Sequence, residues 1–270
     1  MKKITILILL LCLLLSGCQR PSEPSASTDP SVATDPTEPT TKTIHIRTSV
    51  TTRTGDTETR TEYILDGSDR VCRVEAYTND QLTQSYDVQC DENGNYILWT
   101  SQTSQIRYSY DQAGRLTGYS AYAGDTLISS TEYTWEDDLL MSITQKMPAQ
   151  STEHRATMVY DPEGHLLRQD DYLGGTLLRY QIFTLGEDGR ASGSTIYLAD
   201  GTVSQTTTYH YEDRTITITA DDGSYTQQTL DAHGNQISSV EYAADGSQIS
   251  DQSCTWKAIQ VDLDCPRASI

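Results

Sequence analysis

The sequence is poor in large aliphatic residues, in phenylalanine and in helix signals. Val, Ile, Leu and Phe together make up about one residue in six after position 18, a range in which disorder competes with folding. Helical periodicity is nearly absent, so an all-α fold is excluded. Disorder is disfavoured because the chain has 17 tyrosines, which recur in strand register, and cross-strand aromatic pairs stabilise β-sheets.

Positive charge is also scarce. The formal net charge is −19. Removing the N-terminal Lys2 and Lys3 lowers it by two, to −21, because residues 1–17 contain no acid. Such a chain repels nucleic acid and anionic lipid headgroups, so no nucleic-acid partner is expected.

The N-terminus has the pattern of a secretory signal. Two lysines precede an apolar run from Ile4 to Leu15, and Leu15-Ser-Gly-Cys18 follows. This end resembles the signal of bacterial lipoproteins, which implies a signal peptide over residues 1–17 and lipid attachment at Cys18. A transmembrane helix is the alternative, but the apolar run is short for one. Residues 18–42, rich in Pro, Ser and Thr, are predicted to form an extended tether. The predicted location is the extracytoplasmic face of a cell membrane, bound through the lipid.

A turn motif organises residues 43–270. In the segment Tyr108–Thr117, Asp111 can accept a hydrogen bond from the backbone two residues on, and Gly114 can supply a positive φ. Two clear copies have Asp161 with Gly164, and Asp231 with Gly234. Including degenerate copies, the motif begins at positions 66, 91, 111, 136, 161, 186, 212 and 231. The steps are mostly 25 or 26 residues, which is typical of a repeat architecture.

A second turn lies about halfway through most repeats. These turns are Asn79-Asp80, Gly124-Asp125, Gly174-Gly175, Asp200-Gly201, Asp222-Gly223 and Asp245-Gly246. Such dipeptides favour tight hairpins in which both residues tolerate a positive φ. The sequence therefore predicts an all-β fold, an antiparallel meander of about sixteen strands. A sheet of that size should curl into a spiral or shell, or split into two layers.

The motifs Tyr110-Asp-Gln-Ala-Gly-Arg-Leu116 and Tyr160-Asp-Pro-Glu-Gly-His-Leu166 resemble the YD repeats of Rhs-type bacterial proteins, and Leu230-Asp-Ala-His-Gly-Asn-Gln236 is a weaker copy. The resemblance covers roughly residues 60–250. It implies a spiralling β-sheet shell, which in that family often surrounds a toxin. This chain is too short to enclose such a domain, so the resemblance bears on the sheet and not on an activity.

Four cysteines remain after Cys18, namely Cys72, Cys90, Cys254 and Cys265. An even number in an oxidising compartment predicts disulfides, and three connectivities are open. The two local pairings, 72–90 and 254–265, are favoured because each pair lies on neighbouring strands. The cysteine spacing does not match a zinc site.

No catalytic, metal-binding or cofactor-binding constellation emerges. Asp91, Asn93 and Asn95 faintly resemble a calcium loop but lack the distal Glu. The histidines are scattered, and adjacent acids such as Glu136-Asp137-Asp138 lie in predicted turns. The tyrosine face is either core or a surface that stacks against sugars or peptides.

The sequence thus favours a membrane-anchored binding or structural module whose partner is an envelope glycan or protein. The alternative is an extracytoplasmic enzyme, acting on glycans.

Overall fold

We describe residues 41–262 of a computed structural model, and side chains as far as residue 261. The predicted signal peptide, Cys18, the tether up to residue 40 and Cys265 lie outside these residues. Residues 41 and 42, which were assigned to the tether, begin the first strand. Within the described range no helix is long and apolar enough to cross a bilayer.

The described chain forms eighteen β-strands and one short 3-10 turn at Pro148–Gln150. The strands are β1 (Thr41–Thr54), β2 (Thr57–Leu65), β3 (Val71–Thr78), β4 (Gln81–Cys90), β5 (Tyr96–Thr100), β6 (Ser104–Tyr110), β7 (Leu116–Ala123), β8 (Thr126–Glu136), β9 (Leu139–Met147), β10 (Thr152–Tyr160), β11 (Leu166–Leu173), β12 (Thr176–Leu185), β13 (Ala191–Leu198), β14 (Val203–Glu212), β15 (Thr215–Ala220), β16 (Tyr225–Leu230), β17 (Gln236–Tyr242) and β18 (Gln248–Asp262).

The sheet is a closed barrel. Each strand pairs antiparallel with its neighbours in sequence, and β1 also pairs with β18. The all-β antiparallel meander predicted from the sequence is confirmed, but the open spiral and the two-layer alternative are wrong. Closure occurs because the two terminal strands, of 14 and 15 residues, match each other from Thr41 opposite Asp262 to Thr54 opposite Ser250.

The turns fall into two sets at opposite ends of the barrel. The motif turns follow the even-numbered strands β2 to β16 and define what we call the motif end. The other turns follow the odd-numbered strands β1 to β17 and define the second end. Six of the eight motif positions and all six predicted second turns lie between strands, and the other two motif positions, Glu136 and Glu212, end β8 and β14. Three further second-end connections, after β1, β5 and β9, were not predicted, which is why eighteen strands form instead of about sixteen.

The motif turns close by a shared set of bonds. Asp111 Oδ1 accepts from the backbone N–H of Ala113 and of Arg115, both at 2.9 Å, and Gly114 has a φ of +77°. Asp161 and Asp231 accept in the same way, and Gly164 and Gly234 have φ values of +89° and +82°. The carboxylate therefore holds the backbone on both sides of the turn.

The second turns are less uniform than predicted. Asn79 and Asp80 both have positive φ, as a two-residue hairpin requires. In the turns at Gly201, Gly223 and Gly246 only the glycine does, because the turn is one residue longer: the N–H of Leu198, for example, bonds to the carbonyl of Thr202 at 2.8 Å.

Most repeats contain two β-bulges. One lies next to the motif turn, as between Ser109 and Tyr110, and one precedes a tyrosine near the second end, as between Asp171 and Tyr172. A bulge bends its strand and increases the local twist. Bulges repeated around the sheet give the curvature that a closed barrel needs.

Strand residues alternate between an inner and an outer face. In β14, Gln205, Thr207 and Tyr209 are half-buried while Thr206 and Thr208 are exposed. The inner face can be followed from strand to strand because directly paired residues point to the same side of the sheet. Buried residues on this face include Met158 on β10, Ser194 on β13 and Cys254 on β18.

The best-packed part of the interior lies at the motif end. Residues 41–47 of β1 and 256–262 of β18 pair as a ribbon beyond the register that β1 shares with β2. We call this the terminal ribbon. The buried cluster consists of Ile44, Ile46, Val71, Val74, Val88, Tyr96 and Ile259. Ile46 is fully buried, and burying such a side chain stabilises the fold by about 1.5–3 kcal/mol. The terminal ribbon thus covers the motif end of β3, β4 and β5.

The predicted disulfides are not found in the described part of the chain. Cys72 carries a free thiol that donates to the Ile64 carbonyl on β2 at 3.4 Å. Cys90 donates to the Val71 carbonyl on β3 at 3.4 Å. The Cys72 thiol turns toward β2, on the side away from β4, so the 72–90 pairing is wrong. Cys254 is a buried free thiol, and its expected partner Cys265 lies outside the described residues.

Candidate binding surface on the inner wall

Aromatic side chains line the inner face from β2 to β8. Neighbouring rings contact each other across the strands, with centroids 5.5 Å apart for Tyr96 and Trp99, 5.9 Å for Trp99 and Tyr108, and 6.0 Å for Tyr108 and Tyr119. The same wall includes Tyr63, Tyr86 and Tyr133. We call these residues the aromatic wall. Such edge-on and tilted contacts are favourable for π-systems.

Burial raises the pKa of phenol groups in and beside the aromatic wall. Desolvation, with smaller contributions from neighbouring tyrosines, raises the pKa of Tyr108 far above its ordinary value. Desolvation likewise raises the pKa of Tyr110, at the motif end of the same strand, to about 12. Apart from Tyr96 and Tyr133, which are buried, these rings are nevertheless half-buried and not sealed. The wall therefore combines a packing role with accessible ring surface.

Amide side chains line the opposite part of the inner face. Gln169, Gln181, Gln205, Gln228 and Gln252 are all half-buried and lie on β11, β12, β14, β16 and β18. The register places them on the face shared with Met158, Ser194 and Cys254. We call these five residues the glutamine row.

Hydroxyl groups accompany the glutamine row. Gln181 Nε2 donates to Ser194 Oγ at 2.9 Å, and Gln252 Nε2 donates to Thr52 Oγ1 at 3.3 Å. Each amide carries two donors and an acceptor with two lone pairs, so these bonds leave further capacity. Gln169 Nε2 donates to Asp171 Oδ1 at 2.8 Å, and Asp171 pairs with Arg179. The glutamine row is thus an uncharged set of donors and acceptors beside one ion pair.

The lumen is open at the second end. Inner-face residues near that end, including Gln84, His154, Arg179 and Glu241, are exposed. Barrels of 16–18 strands are too wide for side chains to fill and commonly enclose water. The inner wall is therefore reachable by a solute from the second end.

The tyrosines are divided between the two faces. Tyr108 and Tyr209 face inward, whereas Tyr180 stacks on Tyr197 on the outer face, with centroids 4.9 Å apart. Arg168 lies 4.3 Å above the ring of Tyr180. The sequence prediction of a single tyrosine face was wrong, because each bulge reverses the alternation that it assumed.

Aromatic residues at the motif end of their strands have a bonding role that the sequence did not reveal. Trp135 Nε1 donates to the Leu116 carbonyl, Tyr160 Oη to the Leu140 carbonyl and Trp256 Nε1 to the Gln236 carbonyl, each at 2.8 Å. In every case the acceptor lies on the preceding strand, just after a motif turn. The polar tip of a buried Trp or Tyr needs such a partner, and these bonds tie successive strands together.

Asp161, Glu163 and His165 bring three metal-ligating atoms within 4.8 Å of one another. His165 Nδ1 lies 2.9 Å from Asp161 Oδ2. The equivalent oxygen of Asp111 accepts from Arg115 Nε at 2.7 Å, and that of Asp231 from the amide of Asn235. The fifth residue of the motif is thus His, Arg or Asn in different copies, and in each copy its side chain contacts the turn aspartate. Because Arg is not a metal ligand, this shared contact serves the turn and the group defines no metal centre. The fifth residue of the motif is thus a side-chain donor, which the sequence analysis missed.

A shallow cleft of ≈350 Å³ lies beside this turn and is lined by Glu136, Asp137 and Asp161 among others. A general acid needs a raised pKa. Burial raises the pKa of Asp161, but hydrogen bonds from His165 and Glu163 outweigh it, and the pKa lies below the ordinary value. Asp161 is therefore held as a carboxylate by its turn. The segment that resembles a calcium loop is held in the same way. The carboxylate of Asp91 accepts hydrogen bonds from the backbone N–H and the side-chain amide of Asn95.

The fold and its inner wall define an all-β closed barrel of repeated hairpins. No family model matches the sequence, and no curated protein matches it. Among solved structures, the chain is similar to TcdB2-TccC3-Cdc42, with 12% identity, a TM-score of 0.31, and coverage of 70% of this chain and 15% of that one. The chain therefore spans a small part of that protein's length.

Two porin-like proteins are also similar to it. That of Bacteroides uniformis has 11% identity and a TM-score of 0.42, covering 80% of this chain and 96% of that one. That of Bacteroides vulgatus has 11% identity and a TM-score of 0.34, covering 78% and 98%.

Proposed function

We propose that this protein is a lipid-anchored module on the extracytoplasmic face of a cell membrane that binds a glycan inside its barrel without chemical turnover. The observation that carries the proposal is the inner wall. Half-buried aromatic rings lie on one side and the glutamine row on the other, with the second end open. Ring faces stack against sugars, and amides satisfy hydroxyl groups as donors and acceptors.

A glycan fits this wall better than the other polymers do. Extended peptides commonly bind by adding a strand to a free sheet edge, and a closed barrel offers no edge. Nucleic acid is disfavoured by the net charge of −19. The neutral glutamine row matches a ligand with many hydroxyl groups.

The anchoring part of the proposal rests on Leu15-Ser-Gly-Cys18. Cys18→Ala should abolish labelling with a fatty-acid analogue and release the protein from membranes. The measurement is metabolic labelling followed by fractionation with an alkaline wash. A variant that stays with the membrane after that wash would contradict lipid anchoring.

The binding part can be tested with adjacent glutamines. Gln228 is half-buried on the inner face, and its neighbour Gln227 is exposed on the outer face. Gln228→Ala should weaken retention on immobilised envelope glycans, by about 1 kcal/mol for each hydrogen bond lost. Gln227→Ala should leave retention unchanged.

Equal retention by the two variants would contradict binding inside the lumen. Release of new reducing ends from a retained glycan by the purified protein would make the enzyme alternative the better reading. Failure of the protein to retain any envelope glycan would leave a structural role.

A further inference from the structure

Arg47 is held inside the barrel without an anionic partner. It lies at the base of the terminal ribbon, opposite Trp256 in the register, and its guanidinium carbon is 5.0 Å from the centroid of the Trp256 ring. Its Nε is buried and has no hydrogen-bond partner. The residue as a whole is half-buried, so part of it remains exposed to solvent.

The other arginines show how unusual this is. Arg60, Arg115 and Arg168, for example, each pair with a carboxylate. In the part of the chain that the structure describes, Arg107, Arg155 and Arg214 lack such a pair but are exposed to solvent. Arg47 alone there combines partial burial with the lack of any acceptor.

A buried positive charge without a partner is costly, because the protein replaces little of its hydration. The stack on Trp256 recovers part of this through a cation–π interaction. The planar guanidinium is also suited to a carboxylate, which it can bind through two parallel N–H···O bonds.

We infer that Arg47 receives the carboxylate of an acidic sugar in the glycan bound by the barrel. This inference rests on the proposed function and specifies its ligand class: an otherwise neutral oligosaccharide carrying a sugar acid. One acidic group is enough, since the charged side chains on the inner face beside Gln169 and Gln181, Asp171 and Arg179, pair with each other at 2.8 Å. A ligand with many acidic groups would be repelled by the net charge of −19.

The groups around Arg47 fit a single carboxylate. Tyr63 and Cys254 both lie near enough for the charge of Arg47 to act on them. Burial raises the pKa of the Tyr63 phenol and of the Cys254 thiol, and Arg47 opposes the shift in each case. Both groups therefore stay neutral at pH 7 and do not compete as anions for the guanidinium.

The test uses the full-length protein and two probes, an oligosaccharide containing glucuronic acid and the same oligosaccharide with its carboxyl groups methyl-esterified. The wild type should bind the acidic form about tenfold more tightly than the ester, as a charged hydrogen-bonded pair would provide. Arg47→Met should remove this preference and leave the affinity for the ester within about twofold. Binding is followed by calorimetry and by tryptophan fluorescence, because Trp256 lies against the site.

Arg107→Met is the matched control. Arg107 is an exposed arginine that lies 5.2 Å from the ring centroid of Tyr122 on the outer face, and its loss should leave the preference intact. Arg47→Lys keeps the charge but loses the two-pronged geometry, so an intermediate preference is expected. This second variant keeps the test informative if Arg47→Met does not fold, which a melting curve will show.

The outcomes separate the two proposals. Equal affinity of the wild type for both probes, or an unchanged preference in Arg47→Met, overturns the role of Arg47 while glycan binding stands. Binding of neither probe overturns both proposals. Tighter binding of an acidic peptide than of the sugar acid overturns the assignment of a sugar.

Discussion

Gly118 offers a sharp test of the barrel register. It lies in β7 opposite Glu132 on β8, and a Cβ built on it would stand 2.6 Å from the Thr131 carbonyl oxygen. Carbon and carbonyl oxygen rarely approach closer than about 3.3 Å. Gly118→Ala therefore forces β7 and β8 apart by about 0.7 Å, and the atom in the way is backbone, which cannot rotate aside.

The expected cost of Gly118→Ala follows from overpacking, which destabilises by about 1–3 kcal/mol. For a domain of this size that lowers the melting temperature by about 2–12 °C. The assay is thermal unfolding followed by circular dichroism.

Two glycines provide controls for Gly118→Ala. At Gly193, in the equivalent place three repeats later, the corresponding contact is 3.0 Å to the Thr207 carbonyl, so Gly193→Ala should cost less. At Gly67 nothing lies within 4 Å. Gly67→Ala should stabilise by about 0.4–1 kcal/mol, because it reduces the freedom of the unfolded chain. A Gly118→Ala protein as stable as the wild type would refute the close approach of β7 and β8.

Four further experiments test the turns, a buried phenol and a cysteine. Gly114→Val places a β-branched residue at a φ of +77° and should cost about 1–3 kcal/mol, whereas Gln112→Ala should be nearly silent; equal melting temperatures would mean that the turn is misassigned. Hydrogen bonds from Arg115, the backbone one first, hold the pKa of Asp111 below its ordinary value, so its stabilising effect is complete above about pH 4 and is lost on further acidification; Asp111→Asn should lose less stability between pH 5 and pH 3 than the wild type. Because burial raises the pKa of Tyr110 to about 12, the neutral phenol stabilises fully below about pH 10 and this is lost as the pH approaches 12; Tyr110→Phe should flatten the alkaline end of the stability curve, and an unchanged curve would contradict its burial. Cys72 should react with iodoacetamide in unreduced protein, and protection that is relieved by a reductant would restore the disulfide.

The repeat was readable from sequence because its turns are local. The hydrogen bonds of Asp111 reach only residues 113 and 115, and the positive φ at Gly114 depends on one residue. Short-range chemistry of this kind is written directly in the motif, and it also implies antiparallel strands on both sides. The fifth motif residue is Arg115, His165 or Asn235 in the three clear copies, and each carries a side-chain donor. Their common role is evident only in the structure, where each side chain contacts the aspartate of its own turn.

The candidate surface was harder to predict. The glutamine row recurs every 23 or 24 residues from Gln181 to Gln252, a spacing that marks the same place in successive repeats. The sequence could show this spacing but not the face on which it lies. Two bulges in most repeats reverse the inward and outward alternation, so a face cannot be followed by counting residues from one strand to the next.

The sequence by itself determined the all-β class, the positions of most turns and the antiparallel order of the strands. The tertiary structure alone decided that the sheet closes, that Cys72 and Cys90 do not pair, and that Arg47 lies on Trp256 inside the barrel. The physical reason is distance along the chain. Closure depends on curvature accumulated over eighteen strands and on a match between β1 and β18, whose bonded side chains Thr43 and Gln260 are 217 residues apart. No local pattern encodes a contact of that range.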